Sequence, residues 1–276
     1  MEATNPHLSL VAGNGEFPLM FARAAQAKNQ SVCAIAFRGE TDRTLEKWCE
    51  RVTWIEVGQL QKMIDSLLSF PSRQVAFAGG VKKVRLFFPS HLDARGLSVI
   101  KNLLTKKDDA MLRAIARELE ADGLEVVSST LFLQEAMAPL GVLTERAPSE
   151  EEWRDIHFGF ELAKEISKSD IGQTLVVKKQ MGIAVEAIEG TDACILRGGK
   201  LSNGNAVVIK VLKPEQDTRF DLPAVGPGTI KSMRKAAATA LALEAKQVLL
   251  IQREQFINLA NRHKISVVGW NGISQI

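Results

Sequence analysis

The stretch His7-Leu8-Ser9-Leu10-Val11-Ala12-Gly13-Asn14-Gly15-Glu16-Phe17-Pro18 holds a short apolar run, a glycine-broken turn and the opening of an Ala-rich segment. His7–Ala12 reads as a strand and Phe17–Lys28, with its helical spacing, as a helix. A strand that feeds a helix through a tight turn is the unit from which parallel sheets are built. The same alternation continues downstream. Ser31–Phe37 and Val52–Val57 read as strands, Leu60–Phe70 as an amphipathic helix, and Gln74–Ala78 as a strand ending at Gly79-Gly80. Asp108–Asp122 is a predicted helix with Asp108 placed to cap it, and Glu125–Ser128 a further strand. The expected fold is α/β, with an N-terminal Rossmann-like parallel-sheet domain over residues 1–138.

The pattern changes after Pro139-Leu140-Gly141. Ser149-Glu150-Glu151-Glu152 opens a helix running to about Ser167, with a serine cap and acids in its first turn, where they suit the helix dipole. Thr174–Lys178, Gly182–Ala187, Ala193–Leu196 and Ala206–Lys210 then read as short strands. Thr229–Leu243 reads as a helix, Gln247–Ile251 as a strand, Glu254–His263 as a helix and Ile265–Gly269 as a last strand. Residues 139–276 are therefore expected to form a mixed α/β C-terminal domain.

Composition narrows the function classes. The chain has 276 residues, 46% of them apolar and 24% charged, with a net charge of +3, which is ordinary globular composition. That charge is small and dispersed, and no basic run is interleaved with aromatics, so nucleic acid is not an expected partner. Three scattered cysteines, Cys33, Cys49 and Cys194, give neither a disulfide framework nor a zinc spacing. The opening residues lack the pattern of a signal peptide, and no apolar stretch approaches the roughly 18 residues of a membrane span. The expected location is the cytoplasm.

Four segments carry candidate chemistry. Gly13, Asn14 and Gly15 let backbone approach a ligand closely at a helix start, where amides favour an anion such as a phosphate. Pro18 replaces the third glycine of the dinucleotide fingerprint, which disfavours NAD and leaves two readings, a phosphate loop or a plain βα turn. Gly79, with Lys82 and Lys83 after it, ends a strand at the edge where open α/β sheets bind ligands. Glu186 and the turn Glu189-Gly190-Thr191-Asp192 bring acids together, and magnesium needs only one or two carboxylates when phosphates complete its shell. The fourth segment, Lys213-Pro214-Glu215-Gln216-Asp217-Thr218-Arg219-Phe220-Asp221-Leu222-Pro223, sets charges on proline-stiffened backbone. Lys210 and Lys213 suit phosphate oxygens, and Arg219 can grip them bidentately. A salt-bridge network is the bland reading of the same charges. The four histidines, His7, His91, His157 and His263, form no metal or triad spacing.

Four motifs, in order, also carry a resemblance. They are Leu10-Val11-Ala12-Gly13-Asn14-Gly15-Glu16-Phe17-Pro18, Asp108-Asp109-Ala110-Met111-Leu112-Arg113, the pair Asp170-Ile171-Gly172-Gln173 and Glu186–Asp192, and Lys213–Phe220 followed by Asp221-Leu222-Pro223-Ala224-Val225-Gly226-Pro227. Together they resemble the LpxI-type UDP-2,3-diacylglucosamine pyrophosphatases of lipid A synthesis. The resemblance implies hydrolysis of the substrate's diphosphate to UMP and 2,3-diacylglucosamine 1-phosphate, with water directed at the sugar-side phosphorus. It implies Asp221 as the essential aspartate; the acidic clusters themselves add Asp192 and Glu189 as further catalytic acids and Asp192 and Asp217, with Asp221, as magnesium ligands. Gly13, Asn14, Gly15, Gly79, Lys82, Thr191, Lys213, Gln216 and Arg219 fall to the substrate. Where the family places a basic residue after the first glycine of the later turn, this chain has Gly80, so Lys82 or Lys83 is its counterpart. The implied partner is a UDP-linked diacylated glucosamine lipid, met in transient contact with the cytoplasmic face of the inner membrane, and a homodimer stays open. Leu131-Phe132-Leu133 with Met137 is an apolar group suited either to the acyl chains or to ordinary packing. The residues alone also admit another UDP-sugar enzyme, a transferase or epimerase, or a non-enzymatic nucleotide sensor.

Overall fold

A computed structural model of the chain describes residues 7–81, 92–102, 108–214, 216–220 and 222–273, without the side chains of residues 102, 108 and 109. The expected roles of Lys82, Lys83 and Asp221, and the cap expected at Asp108, lie outside the described residues. The chain divides into two compact units, Met1–Gln134 with Asp217–Asp221, and Glu135–Gln216 with Leu222–Ile276.

The first unit is built on strands β1 (His7–Ala12), β2 (Ser31–Phe37), β3 (Arg51–Ile55), β4 (Gln74–Ala78) and β5 (Glu125–Val126). They lie in the order β3-β2-β1-β4-β5, every neighbouring pair parallel. β1 is buried at five consecutive positions, as a strand covered on both faces must be. Helix α1 (Phe17–Ala27) starts with a proline in its first turn and buries Leu19, Phe21, Ala22 and Ala25. Helix α2 (Leu60–Leu68) buries Leu60, Met63, Ile64 and Leu67, the i, i+3, i+4, i+7 stripe that docks a helix on a sheet. Helices α3 (Ala94–Asn102) and α4 (Asp108–Ala121) follow, α3 being an element the sequence pattern did not signal. The Rossmann-like expectation holds, since the chain winds out through β2 and β3 and then restarts beyond β1 at β4.

The second unit carries β6 (Gly141–Val142), β7 (Thr174–Lys178), β8 (Met181–Val185), β9 (Val207–Lys210), β11 (Ala240–Glu244) and β13 (Ser266–Trp270) in the order β6-β13-β11-β9-β7-β8. The β13-β11-β9 centre is parallel, and the outer pairings are antiparallel, giving the expected mixed sheet. A separate parallel pair joins β10 (Ala224–Val225) to β12 (Leu249–Leu250). Helix α5 (Glu150–Ser167) begins with a capping box in which Ser149 and Glu152 exchange hydrogen bonds. Gly159 lets α5 press on the sheet, because a Cβ there would stand 2.8 Å from Ile209 and Val177. Helices α6 (Thr191–Ser202), α7 (Pro227–Lys235) and α8 (Arg253–Arg262) complete the unit.

Two sequence expectations are overturned. Ala193–Leu196 is not a strand but the first half of α6, whose buried residues are Cys194, Ile195, Gly198 and Gly199. Half of that face is glycine, so its helical period is silent in any hydrophobicity pattern. Likewise Thr229–Leu243 is not one helix. It ends at Lys235, Ala237 turns to φ 49°, and the Ala/Leu-rich remainder becomes β11. Ala240, Leu241, Ala242 and Leu243 are fully buried in the sheet, and that burial outweighs their helix propensity.

All three cysteines are free, and burial pushes the thiols of Cys49 and Cys194 up to about 12, so neither is a thiolate near neutrality. No helix among the described residues is long and apolar enough to cross a membrane.

Candidate functional site

In the first unit the chain order reverses between β1 and β4, and open α/β sheets bind ligands outside the C-terminal ends of strands at such a point. The two glycine turns singled out in the sequence meet there. Gly13 donates its N–H to the carbonyl of Ala78 at 2.8 Å, and Asn14 donates to the carbonyl of Gly80 at 2.6 Å. The fit tolerates no side chain, since a Cβ on Gly13 would stand 2.3 Å from the Gly80 oxygen, and one on Gly79 2.4 Å from the Asn14 oxygen. Gly79 also adopts φ +82°, which favours glycine. Asn14 Nδ2 donates to Glu40 Oε2 at 2.7 Å, and Thr41 Oγ1 donates to the Ala12 carbonyl at 2.6 Å, which ties the end of β2 to the turn. The amides of Gly13 and Asn14 are thus committed to the neighbouring turn. What the loop offers a ligand begins at Gly15, where the position of a Cβ has no described atom within 4 Å and α1 starts without a side-chain cap.

In the second unit a polar row crosses the C-terminal edge of the parallel strands. β7 runs antiparallel to β9, so its first residue, Thr174, lies opposite Lys210, the last residue of β9. Glu186 follows β8 and donates its backbone N–H to the Thr174 carbonyl at 2.8 Å. Cross-strand neighbours point to the same face, which places Glu186, Thr174 and Lys210 side by side under the start of α6. Lys210 is only 4% exposed. Its Nζ donates to Thr191 Oγ1 at 2.7 Å and lies 3.4 Å from Thr174 Oγ1. Thr191, the first residue of α6, passes its own hydroxyl hydrogen to Glu186 Oε1 at 2.9 Å. Glu186 is 9% exposed, and its Oε2 is buried with no hydrogen-bond partner among the described residues. The arrangement holds a buried ammonium on two threonine hydroxyls, one of them bonded in turn to the Glu186 carboxylate. Charges so deep persist only in such company.

The remaining expected residues separate into distinct settings. Asp192 is exposed in the first turn of α6, where its charge suits the helix dipole. Glu189 accepts from Arg197 at 2.5 Å and from the Ala187 amide at 3.1 Å, and the Arg197 bond holds its carboxyl below the usual range. Lys213 pairs with Asp170 at 2.8 Å, and Gln216, 9% exposed, closes a turn onto the Lys213 carbonyl at 3.1 Å. Asp217 and Arg219 belong to the first unit. Arg219 grips Asp217 in a fork, with Nη2 at 2.8 Å and Nε at 3.0 Å, and reaches Glu120 at 3.1 Å. That grip holds the Asp217 carboxyl below its ordinary value. His157 stacks on Trp270 at 4.9 Å, as a packing residue would.

Among the described residues no group of three or more His, Cys, Asp or Glu side chains converges to hold a metal ion. An all-protein cage does not fit these residues. A magnesium ion that takes one or two protein carboxylates and completes its shell with phosphate oxygens and water does fit, and Glu186 Oε2 is an oxygen of the right kind that no described residue engages. Thr174 escaped the sequence reading altogether, because only the sheet register aligns it with Glu186 and Lys210.

Two family models together match most of the chain. The LpxI N-terminal domain matches residues 7–136 and the LpxI C-terminal domain residues 139–268. A Caulobacter vibrioides protein named UDP-2,3-diacylglucosamine pyrophosphatase LpxI is 32% identical over 273 residues, covering 95% of this chain and 96% of that protein. Among solved structures, the biotin carboxylase domain of Hydrogenobacter thermophilus 2-oxoglutarate carboxylase aligns at 15% identity and TM-score 0.28, over 63% of this chain and 35% of that one. The biotin carboxylase subunit of a pyruvate carboxylase aligns at 13% identity and TM-score 0.26, over 64% of this chain and 35% of that one. Such low scores carry no argument about fold or function.

Proposed function

The chain belongs to the LpxI family, and from that premise we propose that it hydrolyses the diphosphate of UDP-2,3-diacylglucosamine to UMP and 2,3-diacylglucosamine 1-phosphate, in lipid A synthesis. The observation that carries this reading is the 32% identity to the Caulobacter pyrophosphatase over 95% of the chain, through both domains.

The residues supply a matching chemistry. Water attacks the sugar-side phosphorus, the bond from that phosphorus to the bridging oxygen breaks, and UMP leaves with the oxygen. Negative charge grows on the phosphoryl oxygens as this happens, and preorganised cations and N–H dipoles stabilise it most where water is excluded. Lys210 is such a cation, oriented by Thr191 and Thr174. Glu186 Oε2 can accept a hydrogen bond from the attacking water or from a substrate hydroxyl. Gly13, Asn14, Gly15 and Gly79 shape the backbone that meets the nucleotide, with Lys82, Lys213, Gln216 and Arg219 toward the phosphates.

Asp221, Asp192 and Asp217 are the proposed magnesium ligands, with Glu189 supporting, and the ion would neutralise phosphate charge and polarise the reacting phosphorus. Transient contact with the inner membrane surface belongs to the same reading, because the substrate is a lipid. The test is release of UMP from UDP-2,3-diacylglucosamine with and without magnesium, for the wild type and for Asp221→Ala, beside a thermal melt. Wild-type turnover that magnesium supports and that falls about 100-fold or more in a folded Asp221→Ala variant is the expected result. Binding without turnover by the wild type overturns the assignment. Near-normal turnover by the variant moves the essential role to another acid.

A further inference from the structure

Lys210 and Glu186 are opposite charges buried in one polar row, 4% and 9% exposed, yet they do not close on each other. Elsewhere in the second unit opposite charges meet directly. Lys164 reaches Glu244 at 3.0 Å, Arg146 reaches Glu152 at 2.8 Å, and Lys213 reaches Asp170 at 2.8 Å. Between Lys210 and Glu186 stands a hydroxyl. Lys210 Nζ donates to Thr191 Oγ1 at 2.7 Å, and Thr191 donates to Glu186 Oε1 at 2.9 Å.

A buried pair kept for stability gains by direct contact, since attraction falls with distance while both charges lose their water either way. A hydroxyl spacer gives up part of that attraction and gains direction. An ammonium only donates, and a hydroxyl has one hydrogen. Once Glu186 takes that hydrogen, the lone pairs of Thr191 are left to face Lys210. The rival acceptor, Thr174 Oγ1, lies 3.3 Å from Thr191 Oγ1, longer than a good O–H···O bond. Glu186 is itself clamped. Its amide donates to the Thr174 carbonyl at 2.8 Å, and a Cβ on Gly172 would stand 2.1 Å from the Glu186 carbonyl oxygen. The motif Asp170-Ile171-Gly172-Gln173 therefore fixes the backbone from which the carboxylate reaches Thr191.

We propose that Glu186 is a positioning residue for the reaction. It acts through the Thr191 hydroxyl and holds the Lys210 ammonium where phosphoryl charge develops. Thr191 is then the link in that chain rather than a ligand of the substrate. The proposal rests on the role proposed for Lys210.

The test follows kcat and KM of the full-length protein for UMP release from UDP-2,3-diacylglucosamine. Beside it, the Lys210 ammonium is observed by proton–nitrogen NMR and assigned by its loss in Lys210→Met. Glu186→Ala is expected to lower kcat about 10-fold or more while KM holds, because a misplacement on the order of 1 Å costs that much. It is also expected to speed hydrogen exchange of the Lys210 ammonium. Glu186→Gln, whose amide oxygen still accepts from Thr191, and Thr191→Ser, which keeps the hydroxyl, should both stay close to the wild type. Thr191→Val should fall as Glu186→Ala does, and it carries the test should Glu186→Ala melt early. In a Lys210→Met background, Glu186→Ala should cost nothing further. An additive loss there, or a loss in Glu186→Gln as large as in Glu186→Ala, means that Glu186 acts on its own and overturns the proposal. So does a folded Glu186→Ala or Thr191→Val variant with wild-type kcat and an unchanged ammonium signal. A wild type whose ammonium responds to Glu186→Ala but which releases no UMP defeats the reaction and leaves the link from Glu186 to Lys210 standing.

Discussion

Lys210 shows how one residue can be visible in a sequence and its setting hidden. A lysine ending an apolar strand is readable as a phosphate ligand. That it is 4% exposed and donates to Thr191 follows only from the antiparallel register of β7 on β9. Lys210→Met should lower UMP release about 100-fold or more, the typical cost of removing one preorganised donor from a transition state. It should also destabilise the fold by about 1–3 kcal/mol, because Thr191 and Glu186 are left with a buried bond network missing its donor. Full activity in a folded Lys210→Met variant would make the row purely structural. Gly13 invites a different expectation from the one its motif suggests. A bulky residue there collides with backbone before it meets any ligand, so Gly13→Val should lose stability by roughly 1–3 kcal/mol, the range of ordinary disruptive substitutions. A denaturant titration decides it: unchanged stability with weakened substrate binding would mean that the side chain points into the ligand instead.

The elements were legible where side chains write a period and illegible where they do not. The edges of β1, β2 and β4 follow from apolar runs bounded by turns, and α5 from its serine and acids. The two misassigned elements have one cause each, glycine on the buried face of α6 and tertiary burial of the alanines of β11. The start of α5 yields a prediction at this scale. Glu152 completes the capping box and is also gripped by Arg146 through two bonds, at 2.8 and 2.9 Å. Burial alone would raise its carboxyl, but the bonds from Arg146 and from the Ser149 amide overcome this and hold it below the ordinary glutamate value. A carboxyl depressed in the folded state contributes stability that is present above the unfolded value, about 4.3, and is lost as pH falls through the folded one. Stability of the wild type should therefore drop more steeply below about pH 4 than that of Glu152→Gln, measured by urea midpoints across the acid range. Parallel pH profiles would dismiss the coupling. Ser149→Ala, which removes only the cap, should cost about 1 kcal/mol at any pH in that series.

At the scale of the whole molecule, the two-domain reading of the sequence assigned everything after residue 138 to one body, whereas the chain folds less simply. Residues 217–220 return to the first unit although they follow much of the second in sequence. The cause lies in Phe220, an aromatic residue among charges. Its ring is 5% exposed in the core of the first unit and meets Phe77 of β4 edge-to-face at 5.3 Å. Ser129 Oγ holds the Thr218 carbonyl at 3.3 Å, and Arg219 joins Glu120 of α4, so the segment is pinned from three sides. No hydrophobic period can announce this, because one aromatic residue in a polar loop has no pattern to belong to. The consequence is that a residue of the C-terminal sequence half stabilises the N-terminal sheet. Phe220→Ala should destabilise the first unit by about 3–5 kcal/mol, the usual cost of deleting a buried phenyl ring and leaving a cavity. Amide hydrogen exchange read by peptide mass should then show β1, β2 and β4 losing protection while β9, β11 and β13 keep theirs. The reverse order, with the second sheet opening first, would return residues 217–220 to the body that their place in the sequence suggests.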